Sequence, residues 1–210
     1  MLVLLDGGQV ARVRGMYDAQ NLYLAYEVNA PNGALNSGSE LPLAPFVSGA
    51  YVDFSLGSAW NGPRADVREG DVRVVMAHTK DGKEFQHGFW QVKANGQNGR
   101  TITSPAASVH MDQIAEVPGL KVAYKLGTPD AKNGTTPYTV EVAVPLSSLG
   151  LGSPAGKTVG FDASVGIANA AGDRRDRAAH WAGASEAIVV DRPGSTRLLP
   201  DTWGSLTFEP

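Results

Sequence analysis

The chain has 210 residues, a length that fits one domain, and a formal charge of −3 from 18 basic and 21 acidic side chains interspersed along it. With no stripe of lysine and arginine to neutralise a row of phosphates, nucleic acid is not expected as a partner. There is no cysteine, which removes disulfides, thiolate metal sites and a cysteine nucleophile together.

The first apolar run, residues 1–5, is broken by Asp6. It is too short for a signal segment or a membrane span, so no membrane insertion is expected. The abrupt start suggests a domain cut from a longer polypeptide, with neighbouring domains of that parent as contacts. Beyond it, 25 glycines and 13 prolines punctuate short runs in which apolar and polar residues alternate. Residues 10–17 and 21–28 are two such runs, and the three residues between them make a hairpin. Further strands are expected at 50–56, 71–78, 86–93, 120–126, 138–144, 158–167, 178–181 and 204–208.

The run "YTVEVAV" at 138–144 shows the period of two most clearly, and Pro145 ends its ladder because proline has no N–H to donate. "LSSLGL" after it allows about one helical turn. No segment keeps a helical period over three turns. The expected fold is therefore all-β: an antiparallel sandwich, jelly-roll-like, forming a single domain over 1–210 with one or two very short helical turns. Two polar stretches, 31–47 and 95–108, do not fit the strand rhythm and are read as long loops.

Motifs for catalysis are absent. There is no Gly-x-Ser-x-Gly elbow, Walker A loop or His-Glu-x-x-His, and His78, His87, His110 and His180 lack metal-ligand spacing. No enzyme activity is expected. Two charged residues stand out instead. Asp53 sits in the otherwise apolar strand "AYVDFSL" and Arg73 in "GDVRVVM". Alternation points both away from the core, where an open sheet could offer them to a ligand or where they could pair across strands. The charged segment "GDRRDRAAHW" at 172–181 reads as an exposed hairpin turn with solvated arginines, and Trp181 packs inward. The competing reading has Arg177 and His180 lining one end of the sandwich.

In order, "ARVRGMYDAQNLYLAYEVNAPN", "GAYVDFSLG", "GDVRVVMA", "VEVAVPLSSLGL…VGFD" and "PDTWGSLTF" resemble the family 9 carbohydrate-binding modules and the wider DOMON-like sandwich domains. The resemblance implies a non-catalytic module, extracellular or on the surface or in the periplasm of a bacterium, of a kind often joined to polysaccharide-degrading proteins. It implies a glycan or sugar terminus held between aromatic platforms, with structural calcium common. Carried onto this chain, it places Asp53 as the sugar-binding acid, Arg73 as its arginine and Phe46 near the first platform. At 196–199 the second platform has no aromatic residue, and Trp60, Trp90 and Trp181 are the candidates to replace it. The carbohydrate-binding residues expected are thus Asp53, Arg73, Phe46, Trp181 and Arg177. The alternatives are a structural spacer without a ligand, and a DOMON-like haem b domain using Met76, His78, His110 or Met111.

Overall fold

In the computed structural model, which describes residues 1–38, 42–183 and 192–210, the alternating runs form an antiparallel sandwich. Its strands in chain order are β1 (Leu2–Leu5), β2 (Gly8–Tyr17), β3 (Asn21–Ala30), β4 (Tyr51–Leu56), β5 (Val72–His78), β6 (Glu84–Trp90) and β7 (Arg100–Thr103). There follow β8 (Ser108–Met111), β9 (Gln113–Ala115), β10 (Lys121–Leu126), β11 (Thr136–Pro145), β12 (Thr158–Ala168), β13 (Arg175–His180) and β14 (Gly204–Thr207). A 3-10 turn at Leu146–Leu149 and a short helix, α1 (Arg192–Thr196), are the helical elements among the described residues.

The smaller sheet has the order β1-β2-β3-β11-β10. The larger has the order β13-β12-β4-β5-β6-β9, with β14 paired to the start of β12 on the edge that β13 occupies further along. The β2–β3 hairpin closes as its spacing predicts. Asp18 Oδ1 accepts the N–H groups of Gln20 and Asn21, both at 2.7 Å, so the turn's backbone donors are met by its own carboxylate. These N–H donors hold the Asp18 carboxyl below its ordinary value.

Between the sheets the period of two delivers its apolar faces. Leu22, Leu24, Tyr26 and Val28 of β3 and Tyr138, Val140, Val142 and Val144 of β11 meet Val52, Phe54 and Leu56 of β4 and Val72, Val74 and Met76 of β5. Each such side chain contributes roughly 1.5–3 kcal/mol by leaving water.

Two sequence expectations are corrected here. Residues 2–5 are a strand, pairing with β2 and burying Val3 completely, because Val3 alternates with the half-exposed Leu2 and Leu4. The stretch at 95–108 is not all loop. It contributes β7, and β7 with β8 forms a two-stranded ribbon.

That ribbon explains a larger correction. The outer face of the big sheet is not open. Every residue of β4 is buried, on both faces. A third layer covers it: Phe46 from the segment before β4, Ile102, Val109 and Met111 from the ribbon, and Leu198 and Trp203 from the C-terminal segment. These pack on Tyr51, Val75, Ala77, Phe85 and Phe89 of the sheet. The cover before β4 is pinned by Asn36, fully buried, whose amide donates to Ala50 O at 2.8 Å. Gly49 (φ 142°) lets the chain pass there, since a Cβ would lie 2.3 Å from Leu35 O.

Candidate functional site

Beneath the third layer runs a row of polar side chains that the strand pattern directs outward. Ser55 and Asp53 come from β4, Arg73 from β5, Asp162 and Ser164 from β12, and Arg175 and His180 from β13. All but His180 are buried, and His180 is half-buried. A buried charge needs a partner, and here each partner is present.

Asp53 and Arg73 are 2% and 4% exposed and are locked to each other. Arg73 donates from Nε and Nη2 to Asp53 Oδ2, at 2.8 and 2.5 Å, and from Nη1 to the carbonyl of Ser195 in α1 at 2.7 Å. The other carboxylate oxygen of Asp53 accepts the Ser164 hydroxyl at 2.6 Å. Phe46 closes the pair from above, its ring centre 4.9 Å from the Arg73 guanidinium carbon. From the other sheet, the Tyr26 hydroxyl donates to the Asp53 carbonyl at 2.9 Å. Burial, reinforced by the charges of Asp53 and Asp162, holds the Tyr26 hydroxyl well above its ordinary range.

Asp53, Arg73 and Phe46 are therefore brought together, as a buried cluster. Arg177 and Trp181 are placed elsewhere, because they face the other way from β13. Arg177 pairs with Asp6 at the protein surface, and Trp181 packs against Phe161 of the inter-sheet core. Trp90 also lies in that core, while Trp60 is partly buried beside the outer cluster.

The turn before β13 holds a further correction. Arg175 is not solvated: it is 1% exposed and donates to the Tyr51 hydroxyl and to Ser195 Oγ, both at 3.1 Å. A register shift between Ile167 and Ala168 of β12, where β13 opposes it, accompanies this inward turn. Two buried arginines thus tie α1 to the sheet.

Next to this cluster the cover leaves a hollow of about 150 Å³, lined by Ser55, Arg73, Asp162, His180, Arg197 and Trp203, among others. His180 donates from Nδ1 to Asp162 Oδ2 at 2.6 Å, and Asp162 Oδ1 accepts the Ala182 N–H at 2.9 Å. The carboxylate so fixes the imidazole ring. Trp203 forms an aromatic wall, with the Arg64 guanidinium 5.8 Å from its ring centre. Two glycines give the indole room: a Cβ on Gly160 would meet it at 2.9 Å and one on Gly57 at 3.0 Å.

Sequence reasoning did not single out Trp203 or Asp162 as site residues, although "PDTWG" and "GFD" both carried part of the resemblance. The paired glycines, 57 and 160, were the signal of a large ring close to the sheet. Chemically, the hollow offers an aromatic face, a carboxylate, an imidazole and guanidinium groups, the set that grips hydroxyls and stacks on C–H surfaces.

Among the described residues no group of three histidine, aspartate or glutamate side chains is placed to hold a metal ion together. The haem candidates are dispersed: Met76 lies in the inter-sheet core, Met111 in the outer cluster, and His110 on an exposed strand position beside Thr101.

No protein-family profile matches the chain, and no curated protein does. Solved structures do match. A family 9 carbohydrate-binding module from Caldicellulosiruptor kristjanssonii, in complex with cellotriose, superposes with a TM-score of 0.57 at 18% identity, covering 95% of this chain and 74% of that one. A protein of Bacteroides uniformis to which carbohydrate binding has been ascribed gives 0.48 at 17% identity, covering 95% and 79%. The chain has a fold like that of a family 9 carbohydrate-binding module.

Proposed function

We propose that the chain is a non-catalytic carbohydrate-binding module, working outside the cytoplasm, whose glycan seats at the hollow beside Trp203. The observation that carries this reading is one hollow lined together by Trp203, Asp162, His180, Arg73 and Arg197, on a fold shared with a cellotriose-bound module. In this reading Arg197, Asp162 and His180 meet sugar hydroxyls and Trp203 offers its ring to the sugar's C–H face. Arg73, which lines the hollow, is held in place by Asp53 and Phe46. Arg177 and Trp181 hold the sandwich and do not touch the sugar.

A hollow of this size suits a single ring at a chain end more than a long polymer. One platform and a few charge-assisted hydrogen bonds support micromolar to millimolar affinity. The test is retardation in native gels containing soluble polysaccharides, followed by calorimetry with oligosaccharides, cello-oligosaccharides first. At least one glycan should retard the protein. Arg197→Ala should weaken that binding roughly tenfold or more, with an unchanged circular dichroism spectrum, since Arg197 stands at the exposed rim. Silence across a broad glycan panel would overturn the proposal and leave the spacer reading.

A further inference from the structure

The indole of Trp203 stands on a shelf that gives it room without holding it. Gly57, just after β4, and Gly160 of β12 lie side by side there, the Gly57 N–H donating to the Gly160 carbonyl at 2.9 Å. Neither has a side chain to grip a ring. Among the described residues no hydrogen bond anchors the indole N–H. Trp203 is also only 5% exposed, so the hollow meets a small part of the ring. A slight tilt would turn that part away.

Over the ring lies Arg64, from the segment between β4 and β5, its guanidinium carbon 5.8 Å from the ring centre. That guanidinium is itself held. Its Nη2 donates to both carboxylate oxygens of Asp71, at 2.5 and 2.6 Å, and its Nη1 to the Asp66 carbonyl. Asp71, fully buried immediately before β5, also accepts the Arg68 N–H at 2.7 Å. A Cβ on Gly57 would meet Trp203 at 3.0 Å, Asp71 at 3.1 Å and Arg64 at 3.2 Å. Ring, carboxylate and guanidinium thus converge on one glycine. Arg64 does not line the hollow, so any part it takes in binding passes through Trp203.

We infer that Arg64 is the positioning residue of the Trp203 wall: clamped by Asp71, its guanidinium sets the angle at which the ring meets a sugar. The inference rests on the glycan seat proposed beside Trp203. A cation this close to an aromatic ring is attracted by the ring's electron-rich face. A guanidinium suits the task because it is planar, grips a carboxylate through a rigid fork and stacks on aromatic faces. An ammonium is a compact point charge on a flexible stem and does not fix a ring in the same way. If Arg64 served only to neutralise the buried Asp71, a lysine would do as well and the ring would not notice.

The test is Arg64→Lys, which keeps a cation beside Asp71 and so preserves the fold, with Arg64→Ala as the stronger variant. The indole N–H signals are followed by two-dimensional NMR, and Trp203→Phe identifies which of the four belongs to Trp203. In Arg64→Lys the Trp203 signal should move while those of Trp90 and Trp181, at the inter-sheet core, stay. Affinity for a glycan that the parent retains should fall about fivefold, the size of one cation–ring contact, and at least as far in Arg64→Ala. An unmoved Trp203 signal in Arg64→Lys, or a moved signal with glycan affinity kept, would overturn the inference. If the parent retains no glycan at all, the proposed seat fails by itself, and the Trp203 signal still decides whether Arg64 holds the ring.

Discussion

Strands β4 and β5 are equally dry on both faces, yet the two faces are dry for different reasons. Toward the other sheet they present Val52, Phe54, Leu56, Val72, Val74 and Met76, which need only shape and volume from their neighbours. Toward the cover they present Tyr51, Asp53, Ser55 and Arg73 beside Val75 and Ala77. There each charged atom needs a named partner, supplied by Ser164, Ser195 and Phe46. The inner face tolerates exchange among apolar residues, whereas the outer face is specified atom by atom.

The sharpest way to break the comparison is Asp53→Ala. It leaves the Arg73 guanidinium buried without its carboxylate, and the expected loss is about 3–5 kcal/mol in a urea unfolding experiment. Adding Arg73→Met to Asp53→Leu should recover much of that loss, because the paired charges then leave together. Full additivity of the two changes would show that the pair is not coupled.

Leu56→Ala on the inner face comes next. It should cost about 3 kcal/mol by lost burial and a residual cavity, with no effect on ligand retention in native gels. If it weakened binding as much as stability, the two faces would not be independent.

The smallest effect belongs to Arg177→Ala. Its partner is Asp6, both side chains are substantially solvated, and the expected change is under about 1 kcal/mol and falls further in high salt. A larger loss would give this surface pair a role that its exposure argues against.

The contrast with Arg175 shows where sequence reading reached and where it stopped. Both arginines lie in "GDRRDRAAHW", two residues apart, and nothing in their local pattern separates them. The register shift opposite β13 decides that one is solvated and the other seals α1 against Tyr51. Similarly, Asp53 and Arg73 stood out as charges in apolar strands, and their outward direction was readable. Their partners were not: Ser195 is 122 residues from Arg73, and Ser164 is 111 from Asp53. The Trp203 wall went unnoticed because its evidence was two distant glycines.

By itself, the sequence determined the sandwich, because a period of two with turn residues between the runs is a local property that each strand carries alone. It also determined which side chains of β4 and β5 leave the inter-sheet core. Only the tertiary structure decided what lies above them. The cover is assembled from the segment before β4, the β7–β8 ribbon and the C-terminal segment, and periodicity says which face a residue points to but not what meets it there. Whether an outward charge becomes a solvated surface group or half of a buried ion pair depends on contacts across more than a hundred residues of chain.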